Sequence, residues 1–206
     1  GRDRRHAMVA TVIYVEGGGD SKELHSRCRE AFRRLLERCG FSGRMPRTVA
    51  CGSRGQCFSD FTTAHASGRH RFVALWIDSE EPVQDIKMTW DHLKRRDGWD
   101  RPRNADDEQV LFMTTCMETW MVADRAVLRN HYGHALQESA LPSLVNLEDR
   151  PREGIQDALY HATRNCGNAY CKGRRSFALF GELNPALLQE HLPSFCRVLR
   201  ILTSRL

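Results

Sequence analysis

The chain of 206 residues lacks several features that would assign it to a common class of protein. No apolar run approaches the roughly 20 residues that cross a membrane, so we expect a soluble protein. No Gly-Lys-Ser/Thr follows the glycines of 17–19, and no complete G-x-G-x-x-G is present. A P-loop and a dinucleotide fingerprint are therefore excluded. There is also no low-complexity tract, and an apolar share of 41% is ample for a packed core.

Zinc-knuckle spacing is absent as well, although the chain has eight cysteines. No two of them are separated by two residues, and Cys51/Cys57 and Cys166/Cys171 fit no metal-binding pattern. We expect no signal peptide at the basic opening GRDRRHA, because the apolar run after it ends at a glutamate. We therefore expect reduced, mostly buried cysteines in a cytoplasmic protein. The net charge of +5 permits contact with nucleic acid, but a solvated basic surface explains it equally well.

Four apolar runs of strand length alternate with helical patterns. Strands are predicted over 8–15, 47–51, 71–77 and 109–116, and the third is apolar throughout, as a central parallel strand should be. Helices are predicted over about 21–39, 54–66 and 84–95, and residues 117–133 are predicted as one helix. This alternation predicts an α/β fold with a mostly parallel four-stranded sheet between helices.

The β signal fades beyond Gly133. Helices are predicted there over about 152–165, 184–191 and 193–204, with Pro185 and Pro193 near helix starts. We therefore divide the chain into an α/β core over 8–125 and a helical C-terminal extension over 126–206 that packs on the core.

Acidic side chains follow three of the predicted strands where each strand ends. They are Glu16 and Asp20, then Asp78 and Glu80, then Glu118. Because the carboxyl ends of parallel strands meet at one edge of a sheet, these carboxylates should converge. Crowded carboxylates cost free energy unless a cation neutralises them. Oxygen ligands without His or Cys favour Mg²⁺ or Mn²⁺, and one or two ions would suit phosphoryl transfer.

A single acid after a strand is more often a helix cap or a solvated side chain, and Glu81 and Asp85 are expected to be of that kind. Three acidic clusters at three strand ends favour the cation site over this simpler explanation.

The segments VEGGGD, WIDSE and CMETW occur in an order that resembles the Toprim domain. This domain is the Mg²⁺-dependent phosphoryl-transfer module of topoisomerases, primases and the overcoming-lysogenisation-defect (OLD) nucleases, and the OLD-like branch is the most similar. Two positions depart from its motifs, since Glu80 stands for an Asp and Cys116 for a Ser. The chain is also similar to a family of small bacterial Toprim-like proteins, domain of unknown function 4276. The residues that match the acidic positions are Glu16, Asp20, Asp78, Glu80 and Glu118.

The resemblance implies a Toprim/Rossmann-like core and a metal-dependent endonuclease that acts on DNA, or less favourably on RNA. The five matched acids would hold one or two Mg²⁺ or Mn²⁺ ions, and Glu16 would also manage protons for the attacking water. OLD-like nucleases use a downstream lysine, for which Lys172 in YCKGRRS is the candidate. Arg174 and Arg175 beside it would bind nucleic acid, although an ordinary basic loop is an equal alternative. The resemblance also implies a partner ATPase and a role in anti-phage defence.

Other functions stay open at this point. One is a non-catalytic Toprim-like subunit that senses or tethers within an ATPase complex, and another is a phosphatase or nucleotide-processing enzyme. Strand passage is not expected, because none of the four tyrosines has a recognisable motif. Trp76 and Trp120 are predicted in the core, whereas Trp90 and Trp99 lie in polar segments and could contact nucleic acid or a partner.

Overall fold

A parallel four-stranded sheet lies at the centre of the computed structural model, which describes residues 10–17, 19–171 and 174–206, without the side chains of 174–176. The sheet order is β2-β1-β3-β4. Asp78, the last residue of β3, lies beside Met113 of β4. The predicted α/β class with a parallel four-stranded sheet is therefore confirmed. The strands are β1 (Val12–Val15), β2 (Arg47–Ala50), β3 (Val73–Asp78) and β4 (Val110–Met113).

The described part of the chain contains nine α-helices, several of which begin at capping side chains. Ser21 accepts a hydrogen bond from the amide of Leu24 at 3.1 Å, and Ser53 accepts one from Gln56 at 3.2 Å. The helices are α1 (Lys22–Arg38), α2 (Arg54–Ser67), α3 (Thr89–Asp97), α4 (Met117–Ala123), α5 (Arg125–Tyr132), α6 (Arg152–Thr163), α7 (Arg174–Phe180), α8 (Pro185–His191) and α9 (Pro193–Arg205).

The structure departs from the helix predictions in the part of the chain after β4. The helix predicted over 117–133 is broken into α4 and α5 at Asp124. The reason is that the Asp124 carboxylate caps α5, accepting a hydrogen bond from the amide of Val127 at 3.0 Å, and also binds the amide of Asn184 at 2.9 Å. The helix α7 was not predicted, because it begins within YCKGRRS, the segment for which a basic loop was the alternative.

Hydrophobic clusters cover both faces of the sheet. Trp76 and Trp120 are buried in one cluster, as predicted. Trp90 is buried in the other and its indole N–H donates to the carbonyl of Asp106 at 2.9 Å, so the prediction of a surface role for it was wrong. Trp99 is half-buried and stacks on Phe58 with ring centroids 4.2 Å apart. Among the described residues, no helix is both long and apolar enough to cross a bilayer.

The helices after residue 126 contribute to the same hydrophobic cluster as α1 and the sheet. Arg197 of α9 donates to the carbonyl oxygens of Val110 and Asp107, both at 2.7 Å, which fixes α9 against β4. The division of the chain at residues 125 and 126 stays a prediction.

A buried polar chain also joins this C-terminal segment to α4. The indole N–H of Trp120 donates to the hydroxyl of Ser194 at 3.0 Å, and that hydroxyl in turn donates to the carboxylate of Glu148. The amide of Ser194 donates to the same carboxylate at 2.9 Å. Burial nevertheless raises the pKa of Glu148 to about 7, because loss of hydration outweighs these hydrogen bonds.

Replacing Glu148 with Gln should make the stability of the protein less dependent on pH. The native carboxyl group holds its proton more tightly than the unfolded chain does, so its contribution to stability is complete at low pH and is lost as pH rises through about 7. We expect the free energy of unfolding of the wild type to fall relative to that of Glu148→Gln between about pH 5 and about pH 8. Urea unfolding across this range measures the difference. The exposed Glu153→Gln variant is the control, and a pH profile of Glu148→Gln identical to that of the wild type would contradict the expectation.

Candidate metal centre

The carboxyl ends of β1 and β2 are joined by a backbone bridge between two glycines. The amide of Gly52 donates to the carbonyl of Gly17 at 2.9 Å, and the amide of Gly17 donates back at 3.2 Å. Gly52 has a φ of 80°, and a Cβ there would lie 2.6 Å from the carbonyl oxygen of Gly19. The turn therefore requires glycine at position 52. Beside this bridge the amide of Glu16 donates to the carbonyl of Trp76 at 3.2 Å, which places Glu16 at the edge of the sheet.

The chain turns sharply after β3. The amide of Ser79 donates to the carbonyl of Met113 at 3.0 Å, and the amide of Glu80 donates to that of Thr115 at 2.8 Å. Glu80 has a φ of 68°, a left-handed conformation that is strained for a residue with a side chain. The two hydrogen bonds from the amides of Ser79 and Glu80 hold the turn in this conformation.

Three of the five predicted acids converge at this edge. One carboxylate oxygen from each of Glu16, Asp78 and Glu80 lies within 4.8 Å of the others. We refer to these three residues as the acidic triad. It forms because β1 and β3 are neighbours in the sheet and end at the same edge, so the prediction that these strand ends meet is confirmed.

The other two predicted ligands occupy different positions. Glu118 is buried in the first turn of α4, where it accepts a hydrogen bond from the hydroxyl of Tyr170, and its charge acts on Asp78. Asp20 is exposed in the turn before α1 and is not within the acidic triad. Glu118 thus borders the acidic triad, while Asp20 lies at the surface.

Three arginines that the sequence analysis did not identify surround the acidic triad. Arg54 of α2 donates to the carboxylate of Glu16 at 3.4 Å, and Arg152 of α6 donates to that of Glu80. Arg96 of α3 lies 3.8 Å from the Glu80 carboxylate. Asp97 joins this network, because it binds both Arg54 and Arg96.

The arginines do not fully neutralise the acids. Burial, followed by the charges of Glu16 and Glu118, raises the pKa of Asp78 well above its usual range. Burial also raises the pKa of Glu16, against the opposing effect of Arg54. With all five acids of the network ionised (the triad, Glu118 and Asp97), three guanidinium groups leave an excess of two negative charges among the described residues.

The acidic triad fits a hard divalent cation. Asp78 Oδ1 is buried and accepts no hydrogen bond from the described residues, which is costly for a carboxylate oxygen. All three side chains offer oxygen, the donor that Mg²⁺ and Mn²⁺ prefer, and one divalent ion would balance the excess charge. Cys116 is a poor ligand by comparison, since burial and the neighbouring Glu118 raise the pKa of its thiol.

The predicted basic residues fall at the limit of the described structure. Lys172 lies outside the described residues, so its proposed role stays a prediction. Arg174 and Arg175 form the first turn of α7, and their side chains are not described. The signal that could have pointed to Arg54 is its place directly after the Gly52–Ser53 turn, at the start of the helix that follows β2.

The fold and this edge define an α/β protein with a candidate divalent-cation site. The chain belongs to a family described as a domain of unknown function (DUF4276), whose sequence model matches residues 15–203. That match begins at the last residue of β1 and covers the other three strands and the helices after them, and it confirms the expected family of unknown function. No curated protein and no solved structure shows a significant match to the chain.

Replacing Gly52 with Ala should destabilise the protein, because the new Cβ would clash with the carbonyl of Gly19 in a left-handed conformation. We expect a loss of at least about 1–3 kcal/mol in the free energy of unfolding, measured with urea. Gly55→Ala is the matched control, since a Cβ there meets no atom within 4 Å and the position is helical. Equal stabilities for the two variants would contradict the role of Gly52.

Replacing Asp78 with Asn should remove stabilisation by Mn²⁺. We expect saturating Mn²⁺, at about 100 times its Kd, to raise the Tm of the wild type by roughly 5–10 °C and to leave that of Asp78→Asn unchanged. In chelator, by contrast, we expect Asp78→Asn to be more stable than the wild type at high pH. The raised pKa of Asp78 means that the wild type loses stability as pH rises through that pKa, and the variant does not.

The matched control for this experiment is Asp20→Asn, which removes an equal charge from an exposed position. It should keep the Mn²⁺ shift. A shift of wild-type size in Asp78→Asn would rule out the acidic triad as the cation site, and loss of the shift in Asp20→Asn would restore Asp20 as a ligand.

Proposed function

We propose that the protein is a metal-dependent endonuclease, a Toprim-like enzyme of the OLD type that hydrolyses phosphodiester bonds. The observation that supports this most strongly is in the acidic triad, where Asp78 Oδ1 is buried and accepts no hydrogen bond from the described residues. An apolar strand that ends in an unsatisfied carboxylate is expensive to maintain for stability alone. The order β2-β1-β3-β4 and the parallel pairing agree with such a core, although they are shared by many unrelated α/β proteins.

The acidic triad would hold Mg²⁺ or Mn²⁺, whereas a ligand role for Asp20 or Glu118 at a second ion rests on the resemblance alone. When bound, the cation supplies positive charge that stabilises the scissile phosphate and the oxygens that attack and leave it. Glu16 is suited to accept a proton from the attacking water, because its carboxylate is 21% exposed and its pKa is raised by burial. Arg54 positions Glu16 from the side of α2.

Glu118 is assigned a supporting role. Its hydrogen bond from Tyr170 and its burial fix the carboxylate in one orientation, so it raises the negative potential at Asp78 without turning freely towards solvent. That potential increases the affinity of the acidic triad for a divalent cation.

The substrate and partners are proposed from the resemblance and from charge. DNA is favoured over RNA, and a net charge of +5 is compatible with either. Lys172 is proposed to counter the charge that develops on the phosphate, with Arg174 and Arg175 as nucleic-acid contacts. A partner ATPase and a role in anti-phage defence complete the proposal.

A second candidate, a non-catalytic subunit of an ATPase complex, is favoured by one observation. Glu16 is paired with Arg54 and Glu80 with Arg152, so part of the acidic charge is neutralised without a metal ion. In such a protein the arginines would stabilise the edge permanently. The two candidates differ in whether the purified chain binds Mn²⁺ and turns over a substrate.

The test is incubation of the purified protein with plasmid and with total RNA in Mn²⁺, with and without any ATPase encoded by a neighbouring gene. We expect nicking that chelator abolishes and that Asp78→Asn reduces at least about a hundredfold. Asp85→Asn is the matched control, an exposed acid whose loss should leave cleavage intact. Undiminished cleavage by folded Asp78→Asn protein would refute the mechanism. Turnover of small phosphoesters without cleavage of plasmid or RNA would instead indicate a phosphatase.

A further inference from the structure

The arginines around the acidic triad are bound in very different ways. Arg54 uses every nitrogen of its guanidinium group: Nε and Nη2 donate to the two carboxylate oxygens of Asp97 at 3.0 and 2.9 Å. Its Nη1 donates to the carbonyl of Asp78 at 2.6 Å as well as to Glu16. The group also lies 5.3 Å from the ring centroid of Trp99. With a hydrogen bond from every nitrogen and an aromatic ring against its face, Arg54 is a fixed positioning residue.

Arg152 is held by a single partner. Among the described residues its one hydrogen bond goes to the carboxylate of Glu80, and its Nε is buried with no acceptor. Its side chain is 22% exposed, against 14% for Arg54. Arg152 therefore has a buried donor without an acceptor, while part of its side chain reaches solvent.

The partner of Arg152 is itself a candidate ligand of the cation. A carboxylate that binds a divalent ion donates electron density to it and binds a guanidinium group less strongly, so the two interactions at Glu80 compete. A guanidinium group released in this way has the planar fork that matches a phosphate. Arg152 also begins α6, and the positive end of a helix favours an anion.

We propose that Arg152 is a phosphate-binding residue, paired with Glu80 in the cation-free protein and bound to a phosphodiester of nucleic acid once Glu80 holds a cation. This inference rests on the proposed function and adds a residue and an order of events to it. If Glu80 held a cation, Arg152 would lose its carboxylate partner, and its guanidinium group would then bind the substrate phosphate in place of Glu80. Arg152 thereby makes the binding of nucleic acid dependent on the metal.

The first test is calorimetry with Mn²⁺ alone. Arg152→Gln removes one of the two arginines that pair with Glu80 and leaves Arg96 in place, so the affinity of the variant for Mn²⁺ should rise by roughly tenfold, the effect of one nearby charge. Arg152→Lys keeps the charge and should bind Mn²⁺ within about threefold of the wild type. Arg164→Gln is the matched control: it makes the same change at the exposed C-terminal end of α6, about 18 Å away at about 1.5 Å per residue, and should change nothing.

The second test is the fluorescence anisotropy of a labelled DNA duplex in Ca²⁺, with the duplex shown to be intact on a gel. Arg152→Gln should bind it about tenfold more weakly, and the slope of log K against log salt should fall by about 1. Arg152→Lys should recover part of the affinity, whereas Arg164→Gln should match the wild type in affinity. Opposite changes in the affinity for metal and for DNA are specific to this proposal, because damage to the fold would weaken both.

Failure of this proposal is distinguishable from failure of the proposed function. A wild type that binds no Mn²⁺ overturns the cation site, and the role of Arg152 with it. A wild type that binds Mn²⁺, while Arg152→Gln behaves as Arg164→Gln does or loses affinity for both Mn²⁺ and DNA, overturns Arg152 alone. In that case the Arg152–Glu80 pair is a permanent structural contact and the cation site stands.

Discussion

The negative charge gathered at the carboxyl edge of the sheet is the constraint on which the rest of this region depends. Asp78 ends a strand whose other residues are buried hydrophobic side chains, so its carboxylate is removed from water by the core itself. Glu16 is brought beside it by the pairing of β1 with β3. The sheet itself therefore fixes the positions of both carboxylates. The cost of this charge has to be met by groups from the surrounding helices.

Those groups come from three separate helices, and each ties its helix to the sheet edge. Arg54 connects α2, Arg96 connects α3 and Arg152 connects α6. Removing Arg54 would leave the Glu16 carboxylate without its arginine partner, which is more costly than never having formed the pair. The acidic charge therefore organises the packing of segments that lie far apart in the sequence. It links the helical segment after residue 126 to the α/β core by an electrostatic contact, in addition to the hydrophobic cluster they share.

The strand ends could be predicted from the sequence because each depends on local pattern. The apolar runs before Glu16 and Asp78 identify β1 and β3, and parallel pairing then brings the two acids together. The arginines could not be found in this way. The chain has 31 lysines and arginines, and only the tertiary structure selects the few that face the acids. The spacing of Asp20 from Glu16 suggested a ligand, and the structure places Asp20 at the surface in the turn before α1, a position that the local pattern does not reveal.

The character of Glu80 bears on whether this edge is a catalytic site or a permanent ion-pair network. Its side chain is one methylene longer than that of an aspartate, and its backbone adopts a left-handed conformation at the point where β3 and β4 end. That length lets one carboxylate lie within the acidic triad and also contact Arg152 and Arg96. If Glu80 served only as the ion-pair partner of Arg152, it would not need to lie within the acidic triad. If it served only as a cation ligand, it would not need to contact an arginine. A side chain that satisfies both geometries at once is suited to exchange between them, and such an exchange would couple the charge state of the edge to cation binding.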